Sequence, residues 1–400
     1  MPILYTPCRE EDATHRGFDG TPLMPHMFDK LFEAKEYIEQ SKLPIYGDIQ
    51  AEYMMLSDVY KDKEVSFDMD RLYVWVIDIE VFRDEVRGYA PVDDPFSPVT
   101  AISILWWHLG KSGKVIYGTK DYTPKDGETY IKCNDESQLL VRFLDFLRSN
   151  GDYPDIITGW NVQFYDIPYL VNRLKTLFTE DMWERVSPLR RMMTRTLTLN
   201  GRDQTVIDIK GIAILDYYEL YRKFTYSQQE SYRLDHIAHV ELKKRKVSYK
   251  ELRTLNKLYE LDHQKFIEYN IQDVQLVKEL DDKLKLIELV CALAYGAKAN
   301  FSDTFRQVRL WDIMIYHRLR AVELQIPPRK SEVKDFQYAG AFVKDPLVGL
   351  HEWVCSFDVA SMYPHIIRQW NLSPETLIGE RVKDLTVDEL LAQSKDTSIL

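Results

Sequence analysis

Four acids in three short segments have the types and spacing to do chemistry together. Asp78 and Glu80 stand two apart in LYVWVIDIEVF (72–82), so on a strand both side chains leave one face. GWNVQFYDIPYL adds Asp166 at a strand-to-helix junction, where an aspartate two residues before proline is also a good helix cap. YNIQD places Tyr269 and Asp273 at i and i+4, one face of a helix; alone, that pair reads as a surface acid beside a half-buried tyrosine. Two acids on a buried strand need compensation, because ionised carboxylates are expensive to desolvate. The alternative is a strand end, with the acids in solvent or paired with Arg83. Four converging carboxylates ~4 Å apart repel by about 4 kcal/mol per pair at an effective dielectric of 20. Bound divalent cations resolve that repulsion, and an all-oxygen ligand set suits Mg²⁺ or Mn²⁺ rather than zinc. Two such ions ~3.5–4 Å apart clamp the attacking and leaving oxygens of a phosphodiester. The chemistry expected is phosphodiester hydrolysis, with the Tyr269 hydroxyl orienting the attacking water.

A fifth acid stands apart in SFDVASMYPHII (356–367). It reads as an apolar strand beginning at HEWVCSFDV, ending at Asp358 and turning into a helix with Tyr363 and Pro364. An acid there could hold metals and an incoming triphosphate, the next backbone amides could cradle phosphate, and a tyrosine under the sugar would exclude a 2′-hydroxyl. Without context, Asp358 is an ordinary strand-capping aspartate.

The elements that must position these residues follow from periodicity. LYVWVIDIEVF is apolar on both faces, the pattern of a doubly covered central strand. PVTAISILWW and GKVIYGT add strands, DESQLLVRFLDFLRSN is an amphipathic helix starting near Asp135 or Ser137, and DIITGW is a short buried strand before the helical DIPYLVNRLKTLF. TLTLNGRDQTVIDI is a hairpin turning at Asn200-Gly201. One long helical tract runs from Asp262 to Gly296. Strands mixed with helices make an α/β domain. The division expected is an N-terminal domain over 1–69, the acid-bearing α/β domain over 70–289, a connecting segment returning to the N-terminal domain over 290–332, and a further module over 333–400.

Composition bounds the rest. The 400 residues are 45% hydrophobic and carry a net charge of −11, which argues against a broad phosphate-coating surface. The runs Lys243, Lys244, Arg245, Lys246 and Arg190-Arg191 could touch a nucleic-acid backbone; solvated surface charge is their plainer reading. Four scattered cysteines indicate neither a zinc site nor a disulfide framework. No apolar run reaches the ~18 residues that span a bilayer, so a cytoplasmic protein without a membrane partner is expected.

The set DIE, NVQFYD and YNIQD resembles the three exonuclease motifs of family B DNA polymerases, in that family's order and rough spacing. ITGWNVQFYDIPYLVNRLK, ILDYYELYRKF, YNIQDVQLV and IIRQWNLSPETL are similar, within it, to the polymerases of T-even-like tailed phages. The likeness covers most of residues 25–380. It implies a multidomain α/β (α+β) chain with an RNase-H-like 3′–5′ proofreading exonuclease, and a phage protein in the bacterial host cytoplasm. Asp78, Glu80, Asp166 and Asp273 would be the metal-binding carboxylates for two Mg²⁺ (or Mn²⁺), with Tyr269 positioning water. Asn161 and either Phe164 or Tyr165 would contact the 3′ end of single-stranded DNA or primer-template. DVASMYPHII resembles the polymerase motif A, with Asp358, Ser361 and Tyr363 in the nucleotide site, Asp358 also as a metal acid. His365 stands where serine is common. QYAGAFV (337–343) resembles the motif linking the exonuclease and polymerase modules. The family's Lys-x-x-x-Asn-Ser-x-Tyr-Gly helix and Asp-Thr-Asp turn do not occur in these residues. The expectation is therefore an exonuclease plus the start of a polymerase palm, as a fragment or as one product of a split gene. The rest of the polymerase would then be a second polypeptide, and a sliding clamp would be reached only through the full enzyme. A stand-alone DNA exonuclease and a non-catalytic DNA-binding or scaffolding half are the rival readings.

Overall fold

The computed structural model describes residues 2–60, 67–148, 152–199, 202–247, 254–328, 343–373 and 376. It divides into two compact units, 1–331 and 332–400. Strands β1 (Ile3–Pro7), β2 (His15–Gly17) and β3 (Pro22–Met27) precede helices α1 (Leu31–Gln40) and α2 (Ala51–Tyr60). The central sheet opens with β4 (Val74–Val81), β5 (Val99–His108), β6 (Lys111–Gly118) and β7 (Glu128–Lys132). Then come α3 (Glu136–Leu147), β8 (Ile156–Thr158), α4 (Asp166–Leu177), α5 (Glu180–Trp183), the paired β9 (Met192–Leu199) and β10 (Arg202–Ile209), and β11 (Ala213–Ile214). Helices α6 (Tyr217–Phe224), α7 (Leu234–Leu242), α8 (Leu255–Leu261), α9 (His263–Leu284), α10 (Leu286–Ala297) and α11 (Gln307–Ala321) lead to β12 (Leu324–Gln325).

The central sheet has the order β11-β8-β4-β5-β6-β7. The β4–β5 and β5–β6 pairs are antiparallel, whereas β8 lies parallel to β4 and β11 parallel to β8. This mixed α/β sheet is the RNase-H-like arrangement. The period of two along β4 divides its side chains between two cores. Trp75, Ile77 and Ile79 pack with Leu140 and Phe143 of α3 and Leu170 and Leu174 of α4. Val74 and Val76 pack with Leu220, Ile237, Val274, Val277 and Ile287 from α6, α7, α9 and α10. Each fully buried aliphatic or aromatic side chain contributes roughly 1.5–3 kcal/mol, so β4 is fixed from both sides. Asp78 and Glu80 continue the face that α9 covers.

Asp135 starts α3 by accepting from the Gln138 N–H at 2.8 Å. The tract expected as one long helix is two. Lys285 adopts a left-handed conformation (φ 56°), and its N–H closes α9 onto the Asp281 carbonyl. The Asp281 side chain accepts from Ile287 N at the start of α10. α10 packs into the central-sheet core through Val290 and Cys291, and contacts with the N-terminal elements come from the residues after it: Lys298 donates to the Tyr60 carbonyl, β12 pairs parallel with β2, Arg320 meets Asp58 at 2.5 Å, and the Tyr53 hydroxyl donates to Asp303. In the hairpin, Leu199 pairs with Arg202; the turn expected at Asn200-Gly201 lies outside the described residues, as does QYAGAFV apart from Val343.

In the 332–400 unit, the strand expected to deliver Asp358 is not formed: residues 350–359 carry no regular secondary structure. A strand needs a ladder partner, and none of the described residues pairs with this segment. Its helix does form, as α12 (Met362–Trp370), with Ser361 left-handed at its start (φ 53°) and Tyr363 second in the helix.

Candidate active site

β4, α4 and α9 carry the four acids of the exonuclease-like set. Carboxylate oxygens of Asp78, Glu80 and Asp273 all lie within 4.8 Å of one another. Asp166 is the first residue of α4, and its Oδ1 accepts from the Ile79 N–H at 3.0 Å, between the two β4 acids. The capping alternative for Asp166 is thereby excluded, since α4 is entered from Tyr165 without a side-chain cap. Arg83 is not the acids' counter-ion: its guanidinium lies over the Tyr89 ring, 5.4 Å from the centroid.

α9 supplies the polar partners because Asn270 and Asp273 interrupt its otherwise apolar buried stripe (Phe266, Ile267, Ile271, Val274, Val277). The fully buried Asn270 donates through Nδ2 to Asp78 Oδ2 at 2.6 Å. Lys246 arrives from the segment after α7 and donates to Asp273 Oδ2 at 2.5 Å and to the Tyr269 hydroxyl at 3.3 Å. Asp235 fixes that segment by accepting from the Lys246 N–H at 2.8 Å and from Arg245 at 3.0 Å. Lys244 is paired with Glu279, and Lys243, Lys244 and Arg245 are exposed surface charge, so Lys246 alone departs from the plainer reading of this run.

Three carboxylates within 4.8 Å repel by about 3–4 kcal/mol per pair at an effective dielectric of 20. Burial and that repulsion, chiefly from Asp273, hold the Asp78 and Glu80 carboxyls well above the usual carboxylate range, with Lys246 opposing. Burial pushes Asp166 up to about 7, although the Ile79 N–H pulls the other way. Burial also raises Asp273 against the pull of Lys246. Burial alone would depress the Lys246 ammonium; Asp273, Tyr269 and Asp78 overcome it and raise its pKa. The Tyr269 phenol is raised by burial and by Asp273, so it stays protonated at neutral pH.

The loop between β8 and α4 carries the remaining exonuclease-like candidates. Gly159 brings it hard against β4: a Cβ there would lie 2.4 Å from the Ile77 carbonyl oxygen. Asn161 is exposed and left-handed (φ 68°), and its carbonyl accepts from the N–H groups of Phe164 and Tyr165 at 3.1 Å each. The Tyr165 ring stacks on Tyr169, with centroids 5.5 Å apart, and packs against the sheet core. Phe164 is half-buried. Asp358, Ser361 and Tyr363 belong to the 332–400 unit.

Comparison with known proteins places this geometry. The model of the DNA polymerase family B exonuclease domain matches residues 33–237, and that of DNA polymerase family B matches residues 303–397. The chain belongs to DNA polymerase family B. Among its relatives, the DNA-directed DNA polymerase of Escherichia phage RB69 is 33% identical across 94% of this chain and 44% of its own length. That of Enterobacteria phage T4 is 30% identical across 95% of this chain and 44% of its own. The DNA polymerase delta catalytic subunit of Caenorhabditis elegans is 29% identical across 64% of this chain. The chain thus spans less than half the length of the phage polymerases it matches. The exonuclease match stops before α9, so Tyr269, Asn270 and Asp273 are assigned to the site by geometry. No described helix is long and apolar enough to cross a membrane.

A family B exonuclease domain typically uses divalent metals, and these residues fit such ions. Their donors are all carboxylate oxygens, the set a hard cation prefers. Asp273 Oδ1 is buried with no hydrogen-bond partner among the described residues, which leaves its lone pairs available to a cation.

Proposed function

We propose that the chain is a metal-dependent 3′–5′ exonuclease acting on single-stranded DNA ends, the proofreading part of a phage-type replicative polymerase. The observation that supports this most directly is the convergence of Asp78, Glu80 and Asp273 beside Asp166, under Tyr269 and Lys246. Asp78, Glu80, Asp166 and Asp273 would hold two Mg²⁺ or Mn²⁺ ions. When bound, these supply Lewis-acid stabilisation of the attacking and leaving oxygens. The protein's own part is orientation. Asn270 fixes Asp78, the Ile79 N–H fixes Asp166, and the Lys246 ammonium offsets charge at Asp273. The Tyr269 hydroxyl, held by Lys246, would position water. Hydrolysis puts hydroxide on phosphorus, breaks the P–O3′ bond and returns the proton to the released 3′-oxygen, giving a nucleoside 5′-monophosphate. Phe164 is the aromatic free to stack on the terminal base, since Tyr165 is engaged by Tyr169.

Asp358, Ser361 and Tyr363 would form part of a nucleotide site, with Asp358 as a metal acid. One such acid does not make a two-metal site, so the 400 residues alone should not extend a primer. DNA would be the substrate, and a sliding clamp would act through a full-length enzyme. The test is polarity: with Mn²⁺, a 5′-labelled single strand should shorten stepwise, and a 3′-labelled one should release labelled mononucleotide first. Random internal cleavage, or an intact strand, would refute the reading.

A further inference from the structure

We propose that Asp216 is a positioning residue of this reaction, its buried carboxylate holding the β8–α4 loop in the shape that presents Asn161 and Phe164 to the DNA 3′ end. The inference rests on the exonuclease reading above. Asp216 is 0% exposed. It caps α6 in the ordinary way, Oδ1 accepting from Tyr218 N at 2.9 Å. Capping needs one acceptor, and Asp216 makes two further bonds to a loop more than 50 residues away in sequence. Oδ1 also takes the Asn161 N–H at 3.0 Å, and Oδ2 takes the Gln163 N–H at 3.0 Å.

These bonds add to the loop's own, in which the Asn161 carbonyl accepts from Phe164 and Tyr165. Asn161 is left-handed, a conformation open to asparagine but only one of those it can adopt, and the Asp216 bonds at Asn161 and Gln163 bracket it. The neighbouring contacts keep the anchor rigid: Tyr217 N donates to the Gly159 carbonyl at 2.9 Å, Leu215 N to that of Ile157 at 2.9 Å, and Trp160 Nε1 to that of Tyr232 at 3.2 Å. With its N–H groups turned into the protein, the loop leaves Asn161 exposed and Phe164 half-exposed. Asp166, next along the chain, has its own tie to Ile79. Loss of the Asp216 bonds should therefore disturb DNA binding and spare the metal acids.

The decisive variant is Asp216→Asn, which places an amide N–H₂ against a backbone N–H and so breaks at least one bond to the loop. The expected result is a KM for single-stranded DNA raised about tenfold, with kcat within about threefold. Hydrolysis of thymidine 5′-(4-nitrophenyl phosphate), which needs no loop contact, and the Mn²⁺-induced rise in Tm should both persist. An unchanged KM overturns the proposal, as does a parallel loss of kcat, ester hydrolysis and the Mn²⁺ response. If the variant does not fold, amide hydrogen exchange on the unaltered protein decides. The Asn161 and Gln163 amides should exchange at least about 100-fold more slowly than free peptide; unprotected amides overturn the clamp. An unaltered protein without Mn²⁺-dependent nuclease activity refutes instead the exonuclease reading on which the proposal stands, and the exchange result still reports on the clamp.

Discussion

Replacing Lys246 with methionine tests the electrostatics of the site without touching a carboxylate. Its ammonium is 2.5 Å from Asp273 Oδ2, with the Lys246 side chain 25% and the Asp273 side chain 6% exposed. Removing one partner of a buried pair costs about 3–5 kcal/mol, because the other charge is left uncompensated. Partial exposure and the readiness of Asp273 to take a proton put the expected cost at the low end, about 3 kcal/mol. At about 2 °C per kcal/mol for a unit of this size, Tm measured in EDTA should fall by about 6 °C. Mn²⁺ supplies positive charge at the same oxygens and stabilises each protein according to its own Kd, so the deficit shrinks by the ratio of the two affinities. Freed of the competing ammonium, the variant should bind Mn²⁺ about tenfold more tightly, which returns about 1.4 kcal/mol, roughly half the deficit, in saturating Mn²⁺. Lys244→Met is the control: its Glu279 partnership is more exposed and should be worth under about 1 kcal/mol. Differential scanning calorimetry with and without metal reads all three proteins. An unchanged Tm for Lys246→Met in EDTA, or a deficit of equal size in Mn²⁺, would refute the idea that this lysine balances the acid cluster.

Other consequences follow from the same geometry. Gly159→Ala puts a methyl group 2.4 Å from the Ile77 carbonyl oxygen, against backbone that cannot yield; a loss of about 2–4 kcal/mol and a weaker Mn²⁺ response are expected in chemical denaturation. Phe164→Ala should raise KM for single-stranded DNA about tenfold, from the ~1–3 kcal/mol of a base stack, whereas Tyr165→Ala should mainly lower Tm; the reverse pattern in paired kinetics and melting would exchange their roles. The Asp166 carboxyl is raised to about 7 from an ordinary 3.8, so its contribution to metal-free stability is full below about pH 4 and lost as pH rises towards 7. Metal binding needs the ionised form, so the Mn²⁺-induced Tm shift should grow from about pH 5.5 to 8, and a flat profile would contradict the assignment.

The parts of the fold that were legible in the sequence are those where periodicity is local. β4 reads as a doubly covered strand because Val74 to Ile77 are apolar on both faces, and the phase that buries Val76 places Asp78 and Glu80 towards α9. Lys246 was misread because a lysine in a charged run is usually solvated, and its route to Asp273 exists only once Asp235 has tied down the segment after α7. Asn270 and Asp216 left weaker traces, one a polar residue within an apolar helical stripe, the other a capping aspartate whose long-range bonds depend on tertiary structure. The break at Lys285 escaped notice because lysine is a good helix former and does not announce a left-handed cap. The strand expected before Asp358 failed for the opposite reason: its apolar pattern was clear, but a strand forms only against a partner.

The central claim is tested most directly by a single comparison of nuclease rates. Purified protein and its Asp78→Ala variant, each shown to be folded, are given a 5′-labelled single strand in Mn²⁺ and, separately, in EDTA. The account predicts stepwise 3′ shortening by the unaltered chain in Mn²⁺ only, and a rate at least about 100-fold lower for the variant. Equal rates for the two proteins, or shortening that persists in EDTA, would contradict it.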